Sequence, residues 1–166
     1  MALSRDLLAQ ARLLVDKEPK RPKQASLRRA ISSSYYALFH LLVDQSCRFV
    51  VSGNSVERRA LREQLARSYD HGAMKNASRT FAGAGLNPWL AVGTPPPAEL
   101  VRVAESFVVL QEQRHEADYN VGRSFTRNET LALIAQAEDA FKSREGVKGS
   151  SAADAYLIAL LIRARG

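Results

Sequence analysis

Residues Ser26–Asp44, SLRRAISSSYYALFHLLVD, carry the pattern on which the fold turns. Leu27, Ile31, Leu38 and Leu42 recur at spacings of four, seven and four, which keeps them on one face at 3.6 residues per turn. That face has to be buried. Ala30, Ser33, Ser34 and Ala37 flank it and are small enough to let a neighbouring helix approach closely. Tyr35, Tyr36, Phe39 and His40 fill a further turn with rings that have polar tips or large apolar areas, suited either to a hydrogen-bonded core or to the wall of a site.

Towards the N-terminus, residues from about Ser4 to Lys17 place Leu7, Leu8, Ala11, Leu14 and Val15 on a helical stripe. EPKRPK at 18–23 then stops that helix, because proline neither donates a backbone hydrogen bond nor fits a helix interior. Lys20, Arg21, Lys23, Arg28 and Arg29 gather at this corner, as a solvated basic loop or as a contact for an anion or nucleic acid.

Towards the C-terminus, the central helix should run to about Val51 and end at Ser52-Gly53, with Asn54 and Glu57 as a capping pair for the next. Val56, Ala60, Leu61, Leu65 and Tyr69 are expected to form its buried stripe. After Asp70-His71-Gly72 comes a weaker helical segment, AMKNASRTF. The Gly/Pro loop from about Ala82 to Pro97 is long enough for a lid or partner contact; its Trp89 is expected to plug it, and its Gly83-Ala84-Gly85 is no nucleotide fingerprint. Three prolines open a helix that Leu100, Val101, Ala104, Phe107 and Val108 carry to Arg114. Thr126-x-x-Glu129 is a capping box for a helix bearing Leu131, Ile134 and Phe141, and Ser151-x-x-Asp154 caps a last helix, AYLIALLIRAR, apolar on nearly every side. That helix is too short to span a bilayer and needs cover from the fold or a second subunit.

No stretch alternates as a strand does, so the fold class is all-α, a single domain over 1–166. The net charge of +7 favours an anionic partner, and the lone Cys47 excludes an internal disulfide and suits a reducing compartment. The N-terminal stretch has acidic residues within its apolar pattern and no signal-peptide cleavage site, and no apolar run approaches a membrane span; a cytoplasmic protein without membrane contact is expected.

Three segments, RRAISSSYYALFHLL, DHGAMKNASRTF and RHEADYN, resemble in order and spacing the HEPN superfamily, above all its small prokaryotic branch with YYA-x-FH in the second helix and a late R-x-x-A-D-Y. The resemblance covers roughly Leu27 to Phe141. It implies an up-and-down bundle of four to six helices that usually dimerises around a polar cleft, with RNA as substrate or partner. Many members are metal-independent ribonucleases, often toxins of toxin–antitoxin pairs beside a small nucleotidyltransferase; others are non-catalytic binding or assembly modules, and an antitoxin-like partner is a further reading. No cofactor or metal is implied. Active members pair an arginine, which holds charge developing on phosphoryl oxygens, with a histidine that moves a proton. Arg114 matches that arginine, but Tyr119 stands five residues later, at the histidine position, and His115 is the adjacent polar residue. A phenol of pKa about 10 is a poor base at neutral pH, so cleavage would need His115 or His40 to transfer the proton. Arg114, Asp118 and Tyr119 with Tyr35, Tyr36 and His40 are expected to form a polar cluster, structural or functional.

His40, Asp44 and Cys47 stand at i, i+4 and i+7 and share a helical face, but one helix rarely supplies a whole metal site and a core cysteine is ordinarily a small apolar filler. His71, after Asp70 at a helix boundary, is accounted for by a local hydrogen bond or the helix dipole.

Overall fold

The structure is a computed structural model that describes residues 2–83, 87–91 and 94–162. Seven α-helices and no strand occur among the described residues: α1 (Ala2–Asp16), α2 (Gln24–Val50), α3 (Val56–Ala66), α4 (His71–Ala82), α5 (Ala98–Tyr119), α6 (Arg127–Gly146) and α7 (Ser151–Leu161). The all-helical fold follows the periodicity of the sequence, and the count passes the four to six implied by the resemblance.

α2 is the axis, packing against α1, α3, α5, α6 and α7. Leu27, Ile31, Leu38 and Leu42 are all buried, each contributing about 1.5–3 kcal/mol by leaving water. The small residues beside them do more than permit close approach. Ser33 Oγ donates to Gln10 Oε1 of α1 (3.0 Å), Ser32 Oγ to Asp118 Oδ1 of α5 (2.5 Å) and Ser46 Oγ to the Leu157 carbonyl of α7 (2.7 Å). Tyr69 donates in turn to Ser46, and burial pushes its phenol up to about 12, so it stays a donor. Lys23 at the α2 N-cap offers no side-chain acceptor; Glu18 reaches across the proline loop instead, accepting from Lys23 N (3.3 Å) and Ser26 Oγ (3.1 Å). Arg12 Nε and Nη2 pair with Glu138 at 2.9 and 2.6 Å, fastening α1 to α6.

Several boundaries differ from expectation. Ser55, not Asn54, caps α3, accepting from Arg58 N, and Ser150, not Ser151, caps α7 through Ala153 N. The capping box of Thr126 and Glu129 at α6 forms as the spacing predicts. α5 runs on to Tyr119, five residues past Arg114, because RHEADY is itself helical. The expected stripe of α3 is only partly covered: Val56 is 68% and Leu61 52% exposed, Leu65 is half-buried against the core, and Tyr69, beyond the helix, is buried in it. α3 packs chiefly on α2 and is held there by Arg62 Nη1 on the carbonyls of Val51 (3.0 Å) and Gly53 (2.6 Å), which leaves the first turns of its apolar stripe exposed.

The apolar α7 is covered by α4 and α2: Ala153, Tyr156, Leu157 and Leu160 are buried, with Tyr156 OH bonded to Ser78 Oγ at 2.8 Å. The expected lid loop at 82–97 includes 84–86 and 92–93, and the last residues of AYLIALLIRAR are 163–165; these lie outside the described residues. Trp89, expected as a plug, is 37% exposed. No described helix is long and apolar enough to cross a membrane.

Candidate functional site

The i, i+4 spacing of Arg114 and Asp118, made real by the extension of α5, turns both toward the aromatic turn of α2. Arg114 Nη2 donates to Tyr36 OH (2.7 Å), while its Nε lies 2.8 Å from Asp118 Oδ2 in an ion pair whose N–H is not aimed along that line. The guanidinium carbon sits 5.3 Å from the Tyr36 ring centre, 5.7 Å from that of Tyr119 and 5.9 Å from that of Tyr35. Burial works against its charge, but Tyr36 and Asp118 outweigh burial and raise its pKa. Arg114 therefore remains a cation on a floor of rings, where the guanidinium is attracted to the ring faces.

The α4 N-terminus adds a residue the sequence did not assign to this cluster. Asp70 caps α4 by accepting from Ala73 N (2.9 Å), which sets His71 in the first turn. There His71 Nδ1 meets Tyr35 OH at 2.5 Å and its ring lies 4.4 Å from that of Phe39. Tyr35 is fully buried, and burial raises its pKa, so the phenol keeps its proton in its hydrogen bond with Nδ1. With Nδ1 engaged by Tyr35, Nε2 is the ring nitrogen left for other chemistry. Burial, and next the charge of Arg114, hold the His71 pKa below its ordinary value. His40, stacked on Tyr36 with ring centres 6.2 Å apart, is lowered by burial as well. Two neutral imidazoles thus stand on the same aromatic wall as one fixed cation. A neutral imidazole can accept a proton at neutral pH, and a fixed guanidinium can hold negative charge on a phosphate.

Tyr35, Tyr36, His40, Arg114, Asp118 and Tyr119 are accordingly brought together. His115 is exposed: its ring lies 4.9 Å from that of Tyr119, and it borders a shallow groove with Lys75 and Glu112. Tyr119 is 63% exposed, a lid over Arg114 more than a core residue. At the basic corner Lys20, Arg21, Lys23 and Arg29 face solvent, but Arg28 turns inward and donates to the carbonyls of Ala117 (2.7 Å), Asn120 (2.9 Å) and Arg123. It closes the C-terminus of α5 and is occupied within the fold. Cys47 is a buried free thiol, and no group of three or more metal-binding side chains occurs among the described residues.

The signal for His71 was present in DHG, since an aspartate at a helix start caps the next turn, but its pairing with a tyrosine 36 positions earlier depends on how α4 docks. The fold and cluster define the class of protein as a helical bundle with an arginine seated among tyrosines and histidines. Compared with family models, curated proteins and solved structures, the chain matches none.

Proposed function

We propose that this chain is a HEPN-like, RNA-associated protein of the toxin–antitoxin or defence type, in which Arg114 holds a phosphate of the RNA backbone and His71, with His40 beside it, supplies the proton transfer that Tyr119 cannot. The observation that carries the reading is the joint placement of a partly exposed cation and two neutral imidazoles on one aromatic wall. The net charge of +7 adds a favourable field for a polyanion. A dimer in which the two clusters face one cleft, and a small nucleotidyltransferase as partner, belong to the same proposal.

Single-turnover cleavage of a labelled RNA tests it. Arg114→Ala should slow cleavage about 100-fold or more, as loss of a charge-stabilising group does, and His71→Gln should slow it by a similar factor. Equal rates for wild type and Arg114→Ala would remove Arg114 from any mechanism.

A second reading, a non-catalytic binding or assembly module, is favoured by one specific feature: Asp118 already pairs with Arg114 and is itself held by Ser32 Oγ, so the network closes within the fold. Asp118→Asn separates the two. A structural network predicts a marked loss of thermal stability, whereas a site predicts little loss and tighter RNA binding, since a competing anion has gone.

A further inference from the structure

Away from Arg114, the C-terminal half of α2, the end of α6, the α6–α7 turn and α7 enclose a recess of about 420 Å³ lined by Gln45, Phe49, Arg144, Asp154 and Leu157, among others. Its volume falls within the range of small-molecule pockets. Arg144, in the last turn of α6, is only 3% exposed, and its Nε and Nη1 are buried with no hydrogen-bond partner. Gln45 Oε1, in the same recess, is also buried and unpaired. Native folds rarely leave such groups unsatisfied, and a buried cation without a partner is the costliest case.

The surrounding charges do not relieve it. Arg48 is taken by Asp44 at 2.9–3.0 Å, and Lys148 lies 3.9 Å from Glu145. Glu145 and Asp154 attract Arg144 without bonding to it, and burial outweighs them, leaving its pKa below the ordinary value. The first turn of α7, which contains Asp154 and follows Gly149, borders the recess, and a helix N-terminus favours a negative group nearby. Phe49, 43% exposed, and Leu157 give the recess an apolar wall.

We propose that this recess binds a small, singly charged organic carboxylate, its oxygens taken by Arg144 and its apolar body lying on Phe49 and Leu157. The Gln45 amide, in whichever orientation, supplies a further hydrogen bond to the polar end of the ligand. A single negative charge matches the one guanidinium of the recess that has no hydrogen-bonded partner; a doubly charged phosphate would be repelled more strongly by Asp44 and Asp154 on the same wall. No residue of the Arg114 cluster lines the recess. The site is thus separate from the one proposed at Arg114 and stands or falls independently of it.

Amide chemical shifts of the full chain, followed during titration with acetate, hexanoate, phenylacetate and inorganic phosphate, test it. Hexanoate and phenylacetate should give saturable shifts centred on Gln45, Arg144, Gly149 and Leu157, and bind more tightly than acetate or phosphate. Arg144→Met should weaken hexanoate and phenylacetate binding by roughly tenfold to a hundredfold, as loss of a charge-assisted hydrogen bond does. Phe49→Ala, at a partly exposed position, provides a second test that does not touch the buried charge: it should weaken hexanoate and phenylacetate but not acetate. Absence of saturable shifts with all three carboxylates, binding of phosphate as tight as that of hexanoate, or unchanged hexanoate affinity in Phe49→Ala would each overturn the proposal.

Discussion

Replacing Arg28 with methionine should destabilise the protein by about 3 kcal/mol, because Arg28 closes the C-terminus of α5 from a helix that lies beside it. The last carbonyls of any helix lack intrahelical partners. Here the Arg28 guanidinium takes those of Ala117 at 2.7 Å and Asn120 at 2.9 Å, plus the Arg123 carbonyl in the following turn, and lies 5.6 Å from the Phe125 ring centre. Hydrogen bonds to a charged group are worth about 1.5–3 kcal/mol each, but Asn120 is exposed and water can replace its bond. Counting the less exposed bonds to Ala117 and Arg123 at the low end of that range gives about 3 kcal/mol, and a cation at a helix C-terminus adds about 0.3–1 kcal/mol.

For a chain of this size each kcal/mol shifts Tm by about 2–4 °C, so Arg28→Met should melt roughly 6–12 °C below wild type. The urea midpoint should fall with an unchanged slope, since the surface exposed on unfolding is the same. Arg28→Lys should land between the two, as one ammonium cannot span three carbonyls that a planar fork can. Arg29, the exposed neighbour, is the control, and Arg29→Met should leave Tm within about 1 °C. If Arg28→Met melts like wild type, or if Arg29→Met falls equally, the clamp does not hold α5. If instead stability is unchanged and polyanion binding weakens, Arg28 belongs with the anion contacts that its basic neighbourhood suggests.

Because burial holds His40 and His71 below their ordinary value, the unfolded chain takes up protons near pH 6.5 before the folded chain does; stability, full above that value, should decline as pH falls through it towards the folded values. Urea midpoints measured at about pH 7.5 and about pH 5.5 should therefore drop, and the drop should shrink in His71→Gln; an identical drop in that variant refutes the assignment. Thr126→Ala removes the acceptor for Glu129 N at 3.1 Å and should lower stability by about 1 kcal/mol in chemical denaturation. Leu61→Gln, at a site 52% exposed, should change the melting temperature little, whereas a fall of several degrees would mean that the apolar side of α3 is covered in solution.

What could be read in the sequence was whatever a single helix decides for itself. The α2 stripe, the small residues beside it and the Thr126-x-x-Glu129 box are local patterns, and the chain obeys them. Periodicity failed at α3 because an apolar stripe states that one side avoids water, not that another helix is there to meet it. Arg28 and Arg29 look alike in a basic run, yet a 100° step around α2 puts one on three carbonyls and the other in solvent. His71 and Arg144 were hidden for a related reason. A histidine after an aspartate and an arginine between serine and glutamate both look like ordinary helix-end residues, and only the docking of α4 on α5 and α7, or of α2 on α6, buries them.

Arg114 combines these two kinds of information. Its four-residue spacing from Asp118 is local and predicts an ion pair on one face of α5; its bond to Tyr36 OH comes from packing α5 against α2. The two partners act differently on any ligand. Tyr36 donates no charge and leaves the guanidinium cationic, whereas Asp118 neutralises it and is tethered by Ser32, so an approaching phosphate must displace or share a carboxylate already in place. Displacement is affordable only if the carboxylate can turn to water, and the Asp118 side chain, 26% exposed, has a path to do so while Arg114, at 15%, stays seated. Under the proposed function, an external phosphate would take the place of Asp118 beside Arg114 while the rings that hold the guanidinium stay where they are.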